Sequence, residues 1–143
     1  MKIKVKKLND DSQIPTYANV GDAGADLYLY ENQVILWPGK RKLVSTGIAV
    51  EVPEGYVGLI HPRSGLAHKH GVTIVNTPGT VDSGYRGELK VNLVNTSSEM
   101  VELNKGDRIA QFVVQKVESV EFEVINELSP TERSDRGHGS SGR

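Results

Sequence analysis

Cysteine is absent from all 143 residues, which excludes disulfides, thiolate nucleophiles and Cys-ligated zinc and leaves nothing that calls for an oxidising compartment. Long apolar runs are missing too: no stretch approaches the roughly 18 residues a membrane-spanning helix needs, and the Lys-rich opening from Met1 to Lys7 lacks the apolar segment of a signal peptide. These absences predict a cytoplasmic protein without a membrane partner. An excess of either charge is also lacking, since 17 basic against 18 acidic residues give a formal net charge of −1. That balance offers no drive toward polyanionic nucleic acid, and no stable nucleic-acid binding is expected. Finally, no segment keeps a 3.6-residue hydrophobic period, and 15 glycines with 6 prolines break up long helices.

What is present reads as β structure. The length suits one domain with a modest core. Apolar residues alternate at Ile3 and Val5, at Leu27 and Leu29, and at Ile48, Val50 and Val52. Further candidate strands run from Tyr56 to Ile60, Val72 to Val75, Leu89 to Val94 and Arg108 to Val114, with Phe122 and Val124 alternating at the end. Pro53-Glu54-Gly55, Pro78-Gly79, Ser83-Gly84 and Lys105-Gly106-Asp107 punctuate them as turns. Many short strands at near-regular spacing predict a sandwich, jelly roll or barrel. One short helix is expected from Ser64 to Lys69, with Ser64 as its N-cap. Lys2, Lys4, Lys6 and Lys7 read as protection of an exposed edge strand, Trp37 as packing, and Glu118, Glu121 and Glu123 as a solvated strand face.

Several stretches combine residue types that serve chemistry. From Gly71 to Glu88, Asp82 stands between an apolar strand end and a glycine turn; it is either a partly desolvated general base or an aspartate that caps its own turn. Pro62-Arg63-Ser64-Gly65-Leu66-Ala67 offers a guanidinium, a hydroxyl and free backbone N–H groups to phosphate oxygens. Asp26 in Ala23-Gly24-Ala25-Asp26-Leu27 and Gln111 in Arg108-Ile109-Ala110-Gln111-Phe112 are, singly, a turn residue and a strand residue. The segment after Leu128 contains no large aliphatic side chain. It suits a disordered tail or a flexible phosphate clamp. His61, His68 and His70 match the spacing of no closed structural zinc site.

In this order and spacing, the segments together resemble the all-β trimeric dUTPase family, whose members hydrolyse dUTP to dUMP and pyrophosphate. The resembling segments are Ala23–Leu27, Pro62–Ala67, Gly71–Gly87, Arg108–Phe112 and Arg133–Gly142, so the likeness spans essentially the whole chain. The tail departs from the family's Arg-Gly-x-Gly-Gly-Phe-Gly-Ser-Thr-Gly: Ser134 and Arg136 replace glycines, and His138 takes the aromatic position. The resemblance implies a distorted jelly-roll β-barrel with one short helix, assembled as a homotrimer with shared active sites. It divides the chain into a barrel domain over residues 1–128 and a flexible tail over 129–143 that closes over an active site.

Its further implications concern individual residues. The nucleotide would lie along a β-hairpin from Val72 to Tyr85, with backbone near Asn76 answering the uracil edge. Cytosine would leave polar groups unpaired there, at roughly 1–3 kcal/mol each. Gly79 would allow an approach too close for thymine's methyl group, and the Tyr85 ring would exclude a 2′-hydroxyl. Asp82 would be the general base for water attacking the α-phosphorus, with Gln111 holding that water. Arg63, Ser64 and Gly65 would hold the inner phosphates, and Arg133, Ser140 and Ser141 the γ-phosphate. His138 would cover the uracil, with Thr80, Val81, Lys90 and Gly139 as further substrate contacts. Mg²⁺ would be the cofactor, anchored to Asp26 through water. Such an activity supplies dUMP and keeps uracil out of DNA. Two alternatives share the fold: a dCTP deaminase-branch enzyme, whose glutamate would fall at Asn92, and a non-catalytic nucleotide-sensing β-trimer.

Overall fold

The computed structural model describes residues 1–132, 134, 135 and 137. Ten strands and one helix follow in chain order among these residues: β1 (Lys4–Lys7), β2 (Ala25–Tyr28), β3 (Gln33–Leu36), β4 (Arg41–Glu51), β5 (Tyr56–His61), α1 (Ser64–His70), β6 (Val72–Ile74), β7 (Gly79–Val81), β8 (Glu88–Asn95), β9 (Val101–Asn104) and β10 (Arg108–Lys116). They form two four-stranded sheets, ordered β1-β4-β8-β6 and β2-β10-β5-β7, and a two-stranded ribbon of β3 and β9. Every pairing is antiparallel. The all-β, jelly-roll expectation therefore holds.

The two sheets share one core. Alternation drives it: β8 reads buried at Leu89, Val91, Leu93 and Asn95, with its intervening residues turned outward. Leu27, Ile60, Val81 and Phe112 meet Val44, Val50, Val72, Ile74 and the β8 residues in one buried cluster. Gly58 belongs to the same packing, because a Cβ there would lie 2.5 Å from the Phe112 ring. The β4–β8 ladder breaks register between Ser45 and Ala49, where Gly47 adopts φ 72°, a left-handed conformation that glycine takes without a Cβ penalty. The Glu88 carboxylate accepts a hydrogen bond from the Gly47 N–H at 2.8 Å and so closes this bulge.

The Lys-rich strand is indeed a sheet edge, with Lys4 paired to Glu51 at 2.9 Å. Other details differ from the sequence reading. Strands β3 and β9 were not expected; Gln33–Leu36 alternates over only four residues, too short a run to stand out. Arg63, not Ser64, is the N-cap of α1, in extended conformation and without a side-chain cap bond. Trp37 is 59% exposed and not core packing. Phe122 and Val124 belong to no strand and are 90% and 97% exposed, because the chain leaves the sheet after Lys116 and finds no partner edge within itself.

Candidate functional site

The stretch read as a hairpin does not pair on itself: β6 pairs with β8 in one sheet and β7 with β5 in the other. Asn76 stands in the turn that crosses between the sheets, next to a cis Thr77–Pro78 peptide. This crossing opens a cavity of about 320 Å³. Asn76, Gly79, Thr80, Val81, Asp82, Tyr85 and Lys90 all line it, with Leu43, Ile60, Glu88 and Leu89 completing the wall. Seven residues singled out in the sequence are thus brought to one place.

Within that cavity the polar groups are held unequally. Tyr85 closes a turn on Asp82, its N–H donating to the Asp82 carbonyl at 3.0 Å, and its hydroxyl donates to the Glu88 carbonyl at 2.9 Å. Lys90 stands 3.8 Å from the Glu88 carboxylate. The Asp82 side chain is exposed, and its carboxylate makes no hydrogen bond or ion pair among the described residues. A carboxylate in that state is free to accept from water or ligand.

A second group lies on the β2-β10-β5 side. Gln111 on β10 is flanked in register by Asp26 on β2 and His61 on β5, so the three share one row on one face of the sheet. Gly24 leaves room for the amide, since a Cβ there would approach the Gln111 Cβ and Cδ to 3.0 and 3.2 Å. Asp26 is buried at 3% exposure and takes an arginine on each oxygen: Arg63 Nε donates to Oδ1 at 3.1 Å and Arg108 Nη1 approaches Oδ2 at 3.4 Å. Arg63 also donates through Nη1 to the Arg108 carbonyl at 3.1 Å. The Asp26 backbone is pinned to Thr16 in both directions, at 2.7 and 3.3 Å.

Arg108 is the residue whose part the sequence reading missed. It lies within Arg108–Phe112, but only the pairing of β2 with β10 reveals that it shares the Asp26 carboxylate with Arg63. Ser64 and Gly65 begin α1 beside Arg63. A cavity of about 800 Å³ is lined by Arg63 and Arg108 and by no residue from Val72 to Tyr85, while the 320 Å³ cavity contains no member of the Asp26 row. One chain therefore holds two separate groups: the residues around the 320 Å³ cavity, and the Asp26 row with Arg63 and Arg108, of which only the two arginines line the 800 Å³ cavity. Arg133, His138, Gly139, Ser140 and Ser141 lie outside the described residues.

The donor set around Asp26 fits a hard cation held indirectly. Each carboxylate oxygen keeps an acceptor site beyond its arginine, and no group of three His, Cys, Asp or Glu that would form a direct cage exists among the described residues. Mg²⁺ characteristically retains waters and uses one or two carboxylates together with substrate phosphates.

A pocket shaped by a sheet-crossing turn and, apart from it, a buried, arginine-flanked carboxylate are thus carried by an all-β protein of two packed antiparallel sheets. A model of the dUTPase family matches residues 10–142, and the chain belongs to that family. It is 52% identical over 143 residues to the deoxyuridine 5'-triphosphate nucleotidohydrolase of Nautilia profundicola, covering 100% of both chains. It is 56% identical to that of Nocardia farcinica, covering 98% of this chain and 85% of the relative. Among solved structures, the dUTPase of Staphylococcus bacteriophage 80alpha with dUpNHpp superposes with a TM-score of 0.91 at 32% identity, covering 99% of each chain. A mutant dUTPase from phage phi11 of S. aureus, solved with a structural Mg(II) ion, superposes with a TM-score of 0.81 at 28% identity over 89% of this chain and 98% of that one.

Proposed function

We propose that the chain hydrolyses dUTP to dUMP and pyrophosphate, in a site composed of the hairpin cavity of one subunit and the Asp26 row of another. The observation that carries this reading is the convergence of Asn76, Gly79, Thr80, Val81, Asp82, Tyr85 and Lys90 on one cavity, within a chain of the dUTPase family. Backbone at the Asn76 turn reads the uracil edge, Gly79 and Thr80 border the base, and the Tyr85 ring lies beneath the deoxyribose. Lys90 contributes positive charge at the cavity wall.

For the chemistry, Asp82 accepts a proton from the attacking water as the water oxygen bonds to the α-phosphorus. The bond from that phosphorus to the α–β bridging oxygen breaks, and pyrophosphate departs with the bridging oxygen. Gln111 orients the water. Arg63, Ser64 and Gly65 hold phosphate oxygens, which a planar guanidinium and nearby donors suit. Bound Mg²⁺ supplies neutralisation of phosphate charge; Asp26 would hold it through water. Arg108 keeps Asp26 and Arg63 in place.

A homotrimer accounts for the separation of the half-sites. The chain from Val117 to Leu128 supports such an assembly: Val117, Val120, Phe122, Val124, Ile125 and Leu128 are all exposed on an isolated chain. Apolar side chains so displayed call for burial against a neighbour. The barrel with this arm, residues 1–128, and the tail, residues 129–143, then act as two functional parts. In the tail, Arg133, Ser140 and Ser141 close on the γ-phosphate, His138 covers the uracil, and Gly139 permits close backbone approach. No helix among the described residues is long and apolar enough to cross a membrane.

Pyrophosphate release from dUTP in the presence of Mg²⁺ is the direct test. Tight dUTP binding with turnover indistinguishable from the uncatalysed reaction would reject the proposal in favour of a sensor. Ammonia release from dCTP without pyrophosphate would reject it in favour of deamination.

A further inference from the structure

We infer that Gly87 is a positioning residue for the Tyr85 ring, and through it sets discrimination against ribonucleotides. The inference rests on the reading of Tyr85 as the sugar gate.

Three observations converge on it. The phenol end of Tyr85 lies directly over Gly87: a Cβ at Gly87 would stand 2.6 Å from ring Cζ and 3.0 Å from Cε2, with the hydroxyl oxygen nearer still. Carbon atoms at rest stand about 3.5–4.0 Å apart, so an alanine methyl would push the ring about 1 Å from its seat. Secondly, Gly87 is not among the glycines with left-handed φ. Its backbone is outside the region that favours glycine, and the three atoms nearest an added Cβ all belong to Tyr85. Thirdly, the acceptor of the Tyr85 hydroxyl is itself fixed. Glu88 gives its carbonyl to Tyr85 at 2.9 Å, while its carboxylate holds the Gly47 N–H at 2.8 Å and its Cα is paired with Ala49 across the ladder. A ring displaced from Gly87 moves relative to a wall that does not follow it.

Gly84 provides an internal control. It lies in the same loop, yet a Cβ there meets nothing within 4 Å. Of the two glycines, only Gly87 carries the ring.

The experiment measures kcat/KM for dUTP and UTP with the full chain and Mg²⁺. Gly87→Ala is expected to lower the dUTP/UTP ratio about 10- to 100-fold, the scale on which a 1 Å misplacement acts. Gly84→Ala is expected to hold it within about twofold. In a Tyr85→Ala background, adding Gly87→Ala should change the ratio by no more than about twofold, because the group it acts through is gone. Tyr85→Phe keeps the ring on Gly87 and loses only the bond to Glu88, so it should retain most of the discrimination. This variant tests the seat even if Gly87→Ala does not fold. An unchanged ratio in Gly87→Ala beside a lowered one in Tyr85→Ala overturns the inference, as does full additivity in the double variant. A loss in Tyr85→Phe as large as in Tyr85→Ala also overturns it, since the hydroxyl bond would then be what holds the ring. If Tyr85→Ala leaves the ratio untouched, the sugar-gate reading itself fails and this inference falls with it.

Discussion

Asp26 and Asp82 are both aspartates in glycine-rich surroundings, yet the fold treats them oppositely. Asp26 is buried, with Arg63 on one oxygen and Arg108 on the other. Asp82 stands exposed, and its carboxylate engages no described residue. The first is organised before any ligand arrives; the second is organised only in its backbone, through the turn it makes with Tyr85. A carboxylate already answered by two guanidinium groups has both oxygens engaged by the fold. One left unanswered is available to water. The difference between the two follows from neighbours and not from residue type, and the proposed roles of anchor and base rest on it.

The largest expected effect falls on the unanswered carboxylate. Asp82→Asn should lower turnover roughly 10²–10⁴-fold, the range for a positioned general base, with dUTP binding retained in equilibrium titration. Wild-type turnover in this variant would end the distinction drawn above. Mixing sharpens it further: co-expressed Asp82→Asn and Arg63→Gln chains should regain partial activity if the half-sites come from different subunits. Confirmed mixed oligomers without recovery would place both half-sites of a working site in one chain.

Stability should show the reverse order. Asp26→Asn leaves Arg63 and Arg108 side by side without their counter-charge, and the urea midpoint should fall by the equivalent of about 1–3 kcal/mol, reduced from a fully buried pair because both arginines reach solvent. Asp82→Asn should leave the midpoint within about 0.5 kcal/mol of wild type. Equal loss in the two variants would mean that Asp82 has structural partners after all.

The exposed arm gives a smaller, concentration-dependent effect. Phe122→Ser with Val124→Ser should weaken association in sedimentation while leaving the circular dichroism of the barrel intact, because neither side chain touches the chain's own core. Unchanged assembly would show that these residues face water in the oligomer too.

The smallest effect belongs to a cluster outside both half-sites. The Asp11 carboxylate takes hydrogen bonds from Lys105 at 2.6 Å and from the Tyr30 hydroxyl at 3.1 Å, and Lys105 lies 4.2 Å over the Tyr30 ring. The bond from Lys105, then that from Tyr30, holds the Asp11 carboxyl below the usual carboxylate range, and the bond to Asp11 pushes Lys105 up. The depressed Asp11 contributes stability above its unfolded pKa that is lost as pH falls through the folded one; the raised Lys105 contributes below its unfolded pKa and loses it as pH rises through the folded one. Urea midpoints of wild type and Asp11→Asn should therefore differ slightly at neutral pH and converge in acid, with dUTP turnover alike throughout. A gap that widened in acid would reverse the sign.

Much of this was legible in the chain itself. Alternation at Ile48, Val50 and Val52 or along Leu89 to Val94 requires only that one strand face meets a core, and those strands stand where expected. The residues from Asn76 to Tyr85 were close enough in sequence to be read as one group, although the strands that flank them pair with different sheets. Gly-rich turns at Gly55, Gly84 and Gly106 similarly declare themselves locally. Short strands such as Gln33–Leu36 did not, because four residues carry too little pattern and take their structure from the partner ribbon.

The sequence by itself determined the β class, the absence of disulfides, the residues that can bind phosphate and accept a proton, and the family to which they belong. Those are properties of residue types and their order. Only the tertiary structure decided that β6 and β7 part into different sheets, that Asp26 is shared by arginines from 37 and 82 residues away, and that the end of the Tyr85 ring lies over Gly87. Strand pairing between distant segments fixes the first two, since a side chain's charge partners are set by what another part of the chain brings alongside, whereas the seat of the Tyr85 ring is closed within its own loop against the start of β8.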